Sequence, residues 1–199
     1  MEKKYDLIMV GIGGQGIVLA SDILGEVAMT AGYDIKKTDT LGMAQRGGSV
    51  VSNIRIAEHV WSPLIMQGTA DFLIAFEKLE ALRWCPYLRP NGTVILNNQV
   101  TPPLSVSLGV NRYPDDQEIY RTIRQVTDHI YTVQGSQSVI GLGDIRTLNM
   151  FMLGCISHFI PIEIKVWEEC IRQRLPAKIL GINLTAFNKG REEISYVNI

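Results

Sequence analysis

Runs of consecutive apolar residues alternate along this chain with segments whose apolar positions recur every three or four residues. "YDLIMVG", hydrophobic on both faces, predicts a central strand, and the glycines after it open a helix, "IVLASDILGEVAMTAG", reaching about Gly32. "YDIKKTD" predicts a second strand, and the glycine-rich loop "TLGMAQRGGS" leads into "VVSNIRIAEHV". There Val50, Ser52, Ile54 and Ile56 share one face, with Val51, Asn53 and Arg55 on the other. "ADFLIAF" is a buried-type strand, "EKLEALRWCPYL" a short helix ending before Pro90, and "NGTVILN" a strand entered through an Asn-Gly turn. This rhythm predicts an α/β fold: a three-layer α/β/α single domain over residues 1–199, with a mostly parallel sheet.

The second half is less regular. "TPPLSVSLGVNRYP" carries too many prolines for a central strand and reads as a loop or edge excursion. "DDQEIYRTIRQVTDH" begins acidic and spaces Ile119, Ile123 and Val126 as a helix does. "IYTVQG" predicts a further strand, and "DIRTLNMFMLGCISHF", "PIEIKVWEECIRQRL" and "PAKILGINLTAFNKGREE" predict successive helices. Met150, Phe151 and Met152 read as core.

Composition narrows the function classes. A formal net charge of −1 leaves no basic footprint for nucleic acid or an anionic membrane surface. The apolar stretch from Leu148 to Ile164 is broken by Asn149, Ser157, His158 and Pro161. It falls short of the ~20 residues a spanning helix needs, so a buried helix is expected there. The N-terminal apolar run is too short for a signal peptide, which leaves a cytoplasmic protein as the expectation. Cys85, Cys155 and Cys170 are scattered, with no C-x-x-C pair, and read as buried reduced thiols rather than a cluster or zinc site. His59, His129 and His158 share no metal-ligand spacing. Trp61, Trp84, Trp167, Tyr87 and Phe151 serve core or interface more readily than an aromatic pocket.

Two glycine clusters carry the candidate chemistry. In "VGIGGQGIV", Gly11, Gly13 and Gly16 stand in G-x-G-x-x-G register, with Gly14 and Gln15 between, after a strand and before a helix. Glycines permit close backbone approach, and a helix N-terminus offers unpaired N–H groups to a phosphate. A dinucleotide fold also needs an acid at the end of its second strand. Asp34 stands at the start of that strand and Asp39 comes late, while Lys36 and Lys37 suit a 2′-phosphate. The turn alone therefore leaves two readings open: a dinucleotide site, or a tight strand-to-helix connection. The second cluster places Gln45, Arg46, Gly47 and Gly48 directly before a strand. Arg46 there is suited to an anion, with Gln45 as an orienting amide, and the loop alone reads equally as a tight turn whose arginine is solvated or pairs with another loop. Arg55, mid-strand, reads as structural.

Taken together, "GIGGQGIVLASDIL", "TLGMAQRGGSVVSNIRI", "GTADFLIAFEKLEALR", "LNMFMLGC" and "INLTAFNKG" resemble the gamma module of 2-oxoacid:ferredoxin oxidoreductases, most of all the small subunit of the indolepyruvate branch. The resemblance covers nearly the whole chain in order, and is thinnest from Thr101 to Gln134. It implies a subunit of an enzyme that oxidatively decarboxylates a 2-oxoacid, indolepyruvate or another aryl pyruvate, to acyl-CoA, carbon dioxide and reduced ferredoxin. Thiamine diphosphate, magnesium and [4Fe-4S] clusters are expected on a large alpha subunit, with coenzyme A as co-substrate and ferredoxin as acceptor. This chain lacks the equipment for those cofactors. Its nearest approach to the magnesium–diphosphate signature is "GLGDIRTLN", where Asn149 follows Asp144 too closely. No catalytic residue and no metal ligand is expected on it, and alone it is expected to be inactive. The turn Gly11–Gly16 and the loop Gln45–Gly48 are expected side by side at the carboxyl ends of adjacent strands, binding coenzyme A phosphates or bracing the partner. A Cβ at Gly14 is expected to crowd the turn. The rival readings are a free-standing NAD(P)-dependent oxidoreductase and a non-catalytic assembly subunit.

Overall fold

The computed structural model describes residues 4–42 and 47–196. Strand β1 (Tyr5–Ile12) feeds helix α1 (Ile17–Thr30), which returns the chain to β2 (Asp34–Leu41) and β3 (Ser49–Ala57). Next come β4 (Ala70–Ala75), α2 (Lys78–Trp84), β5 (Leu88–Asn97), the single-turn α3 (Leu104–Ser107), α4 (Asp116–Arg124) and β6 (Ile130–Val133). The chain ends in α5 (Gly135–Leu142), α6 (Leu148–Ser157), α7 (Ile164–Arg174) and α8 (Ala177–Tyr196).

The six strands form one sheet in the order β2-β3-β1-β4-β5-β6. β1, β4, β5 and β6 pair in parallel, while β3 runs antiparallel to both β1 and β2. Only residues 42–48 connect β2 to β3. A parallel crossover needs about a dozen residues or more, so the chain returns as a hairpin and β3 inserts between β2 and β1.

Alternation along the strands sorts their side chains into two cores. Leu7, Met9, Ile54, Ile56, Ile74 and Ile95 pack under α1, α6, α7 and α8. Ile8, Val10, Val51, Leu73, Val94 and Leu96 pack against α2 and α4. Helices thus cover both faces, giving the expected three layers. Every residue of α6 is buried, as its unbroken apolar sequence requires.

The acidic, periodic stretch after Pro114 is helical as expected, over Asp116–Arg124. Asp115 and Glu118 close a capping box at the start of α4, whose Ile119 and Ile123 are buried. Strand β5 begins at Leu88, earlier than the Asn-Gly pair; the pairing shifts between Ala70 and Phe72, and Asn91 takes a positive φ. Helix α5 is an element that periodicity does not announce. "GSQSVIGL" is too short and too rich in small residues to show a helical stripe.

Candidate functional site

The parallel strands β1, β4 and β5 end along one edge of the sheet, where open α/β folds collect ligands. Gly11 is buried at the end of β1, and Gly13 to Gly16 turn the chain into α1. Gly16 supplies the N-cap in the left-handed region, φ 77°, and no side chain caps the helix. Gly14 is exposed with φ 106°. A Cβ built there meets nothing within 4 Å, so the expected crowding does not occur; glycine is required by the backbone angle instead. The crowded positions are Gly11, where a Cβ would lie 2.6 Å from Oε1 of Gln15 and 2.9 Å from Phe76, and Gly16, where it would lie 2.7 Å from Nδ2 of buried Asn149.

Gln15 folds back into the turn. Its Oε1 accepts from the Ile12 amide at 2.7 Å, and its Nε2 donates to the Phe76 carbonyl at 3.4 Å. That carbonyl also accepts from Nδ2 of Asn97, whose Oδ1 takes the Ser136 amide. One carbonyl oxygen therefore ties the ends of β1, β4 and β5 to the start of α5.

The second cluster meets the first through the backbone. The Gly13 amide donates to the Gly48 carbonyl at 2.8 Å, and the Gly47 amide to the Gly13 carbonyl at 3.4 Å. Gln45 and Arg46 lie outside the described residues. Part of the expectation needs correcting: the strand whose carboxyl end precedes Gln45–Gly48 is β2, which is not adjacent to β1. The loop 42–48 links the end of β2 to the start of β3, and β3 is the neighbour of β1, with Ile12 opposite Ser49. The two clusters converge because β3 is antiparallel, so its start lies beside the end of β1.

That insertion bears on the dinucleotide alternative. A ribose-binding acid belongs at the end of a strand directly beside β1. Here β3 separates β2 from β1, and Asp39 is occupied by Ser52 at 2.6 Å and Lys37 at 2.9 Å. Asp34 takes the Val60 amide and Lys36, and Lys37 is held by Asp22. Neither the acids nor the lysines are placed for a nucleotide in the turn.

A third feature of the edge went unread in the sequence. Glu77 caps α2, and its buried carboxylate accepts from the Glu80 amide, the Thr101 amide and the Tyr113 hydroxyl. Burial, and then the bond to Glu77, push the Tyr113 phenol above its ordinary range. Buried Glu80 accepts from Ser49 Oγ at 2.6 Å and from Arg83. A cleft of about 430 Å³ opens above these acids, between Ile12, Gly47 and Ser49 on one side and Pro102, Pro103 and Leu104 on the other. The available signal was an acid directly after a buried-type strand, with a second acid three residues on.

The remaining candidates are dispersed. The Asp144 carboxyl is held down to about 2 by the Arg146 guanidinium and amide. Asn149 is buried and bonds the Met150 amide. This pair does not offer the free carboxylate and amide that a magnesium–diphosphate group needs. Cys85, Cys155 and Cys170 are buried and unpaired, their thiols pushed up by burial. Cys85 packs in one core and the other two in the opposite core, so they do not converge on a cluster. His59, His129 and His158 are exposed. Trp61 is exposed, Trp84 packs against Tyr87 with the rings tilted, and Trp167 and Phe151 lie in the core, so the aromatics share no pocket. Among the described residues, no helix is long and apolar enough to cross a membrane.

Comparison with known proteins agrees with this architecture. The family model for pyruvate ferredoxin/flavodoxin oxidoreductase matches residues 6–193. Indolepyruvate oxidoreductase subunit IorB of Archaeoglobus fulgidus is 38% identical over 94% of this chain and 94% of its own length. The IorB subunit of Pyrococcus horikoshii is 33% identical over 94% of this chain and 95% of its own. Among solved structures, 2-oxoglutarate:ferredoxin oxidoreductase from Magnetococcus marinus shares the fold with a TM-score of 0.76 at 21% identity, over 98% of this chain and 32% of that one. The chain therefore belongs to the pyruvate ferredoxin/flavodoxin oxidoreductase family, as a subunit of a 2-oxoacid:ferredoxin oxidoreductase.

Proposed function

We propose that this chain is the small, non-catalytic but required subunit of an enzyme that oxidatively decarboxylates an aryl pyruvate, indolepyruvate first, yielding acyl-CoA, carbon dioxide and reduced ferredoxin. The observation that carries the reading is the junction of the two glycine clusters, Gly13 to Gly48, at the carboxyl edge of a sheet whose family works in oxidoreductase complexes. The substrate preference follows the IorB relatives.

On this reading thiamine diphosphate, magnesium and [4Fe-4S] clusters belong to a large alpha subunit, ferredoxin accepts the electrons, and the isolated chain is inactive. When bound, thiamine supplies the carbanion chemistry there. This chain's residues bind and position. The start of α1, without a side-chain cap, offers N–H groups, and Arg46 stands next in sequence to Gly47, whose amide bonds the Gly13 carbonyl in the turn ahead of that helix. Gly11, Gly13, Gly14, Gln15, Gly16, Gln45, Arg46, Gly47 and Gly48 then line the approach of the coenzyme A phosphates or brace the alpha subunit's reaction centre. Three buried thiols suit a reducing, cytoplasmic setting.

The test is to co-purify the chain with the alpha subunit and assay a panel of 2-oxoacids with ferredoxin. Indolepyruvate turnover that requires both chains supports the reading. Turnover by this chain alone with a nicotinamide cofactor sinks it. Within the complex, Arg46→Ala is expected to weaken apparent coenzyme A affinity with little effect on 2-oxoacid affinity, and unchanged values for both remove Arg46 from the site.

A further inference from the structure

The first turn of α1 leaves its donors open. Gly16 caps the helix without a side chain, and the first turn holds no acid. The amides of Ile17, Val18 and Leu19 have no acceptor among the described residues. Gly13, Gly14, Gly16, Ile17 and Val18 line a cleft of about 300 Å³ whose remaining lining is aliphatic. No carboxylate of that lining neutralises the positive end of the helix dipole. A bare helix start by itself selects no ligand. Asn149 supplies the second observation.

Asn149 stands in the first turn of α6 and is 3% exposed. Its Oδ1 accepts the Met150 amide at 2.9 Å, so the end of the side-chain amide that a metal would need is engaged. Its Nδ2 donates to no group among the described residues. That nitrogen faces the N-cap of α1. It lies 2.7 Å from where a Cβ on Gly16 would stand, nearer than Cγ at 3.0 Å and Cβ of Asn149 at 3.1 Å. Burying an amide donor without an acceptor is costly, and folded proteins keep such a group where something outside the chain completes the bond.

We propose that the start of α1 and Asn149 Nδ2 together bind a phosphoryl group. The step rests on the reading above of the glycine turn as an anion contact; it names the anion and adds Asn149 to the site. Backbone amides and Nδ2 are all donors, which excludes a cation. The amides of a helix start fan around its axis, and Nδ2 joins them from a different element. That spread suits the three oxygens of a phosphoryl group better than a flat carboxylate. Gly16 is required twice over, by its φ of 77° and because a Cβ would displace Nδ2.

The test titrates the full chain with inorganic pyrophosphate and follows backbone amide shifts by NMR. Saturable shifts are expected at Ile17, Val18 and Leu19. Asn149→Asp keeps the acceptor for Met150 and places a negative charge at the helix start. It is expected to bind roughly tenfold or more weakly and to melt no lower than the unaltered chain. Asn149→Leu, of similar volume and uncharged, is expected to bind more weakly as well. Arg174→Ala is the control, because Arg174 and Lys37 line another cleft beside α1 that could attract anions; it is expected to bind as the unaltered chain does. Equal affinity in both folded Asn149 variants overturns the proposal. So do loss of binding in Arg174→Ala, acetate binding as tight as pyrophosphate, and the absence of saturable shifts. Coenzyme A and ADP, titrated separately, distinguish the source of the phosphoryl group: tighter binding of either supports the site and assigns it to the co-substrate or to a nucleotide. No large subunit enters these titrations. A complex that turns over indolepyruvate while this chain ignores pyrophosphate overturns this inference and leaves the subunit reading standing.

Discussion

Gly154 of α6 and Gly190 of α8 face each other across the crossing of the two helices. A Cβ on Gly154 would fall far inside contact distance of the Phe187 carbonyl, and one on Gly190 would do the same to the Phe151 carbonyl. The helices touch backbone to backbone, close enough for the Cys155 thiol to donate to the Gly190 carbonyl at 3.4 Å. Gly190→Ala must push α8 away from the larger core and is expected to cost ~3 kcal/mol. Urea unfolding monitored by circular dichroism measures it, and a loss below ~1 kcal/mol would show that the helices separate freely.

At Gly14 the strain lies in the backbone, since nothing surrounds the missing Cβ. Gly14→Ala and Gly14→Leu, neither branched at Cβ, are therefore expected to cost nearly the same, about 1–3 kcal/mol. A leucine much worse than alanine in thermal unfolding would restore the crowding explanation.

The Tyr113 phenol is raised in the folded chain, so the fold holds that proton more tightly than the unfolded chain, where it titrates near 10.0. Its contribution is present in full below pH 10.0 and is lost as pH rises through the more alkaline folded value. Tyr113→Phe removes a donor from buried Glu77 and is expected to cost about 1–2 kcal/mol at pH 7. It should also flatten the alkaline fall in stability. Denaturant midpoints measured from pH 7 to 11 decide the point, an unchanged alkaline slope counting against it.

Arg55 reaches across the sheet to buried Asp6 at 2.9 Å and holds the Ser62 and Leu64 carbonyls of the loop behind Trp61. Arg55→Met leaves Asp6 with Lys4 alone. It is expected to cost about 2–3 kcal/mol and to expose residues 58–69 to protease. Adding Asp6→Asn should recover part of that loss, because the stranded charge disappears. A double variant no better than the single one would locate the cost in the loop contacts.

Most elements could be read from the chain because each depends on neighbours in sequence. The apolar runs of β1 and β4, the alternation of β3 and the capping box of α4 all act locally. Helix α5 escaped notice because its small residues show no stripe; it is held by Ser136 on Asn97, 39 positions away. Glu77 looked like an ordinary charge ahead of a helix, since its partners Thr101 and Tyr113 come from a segment with no periodic signal.

By itself the sequence determined the layer architecture, the burial of α6 and the two glycine clusters, since periodicity and backbone freedom are properties of short segments. Only the tertiary structure decided that β3 enters between β2 and β1, and so that Gly48 rather than a ribose-binding acid meets Gly13. Strand order is settled by how a short connection closes and which faces it buries, a balance among segments far apart in the chain.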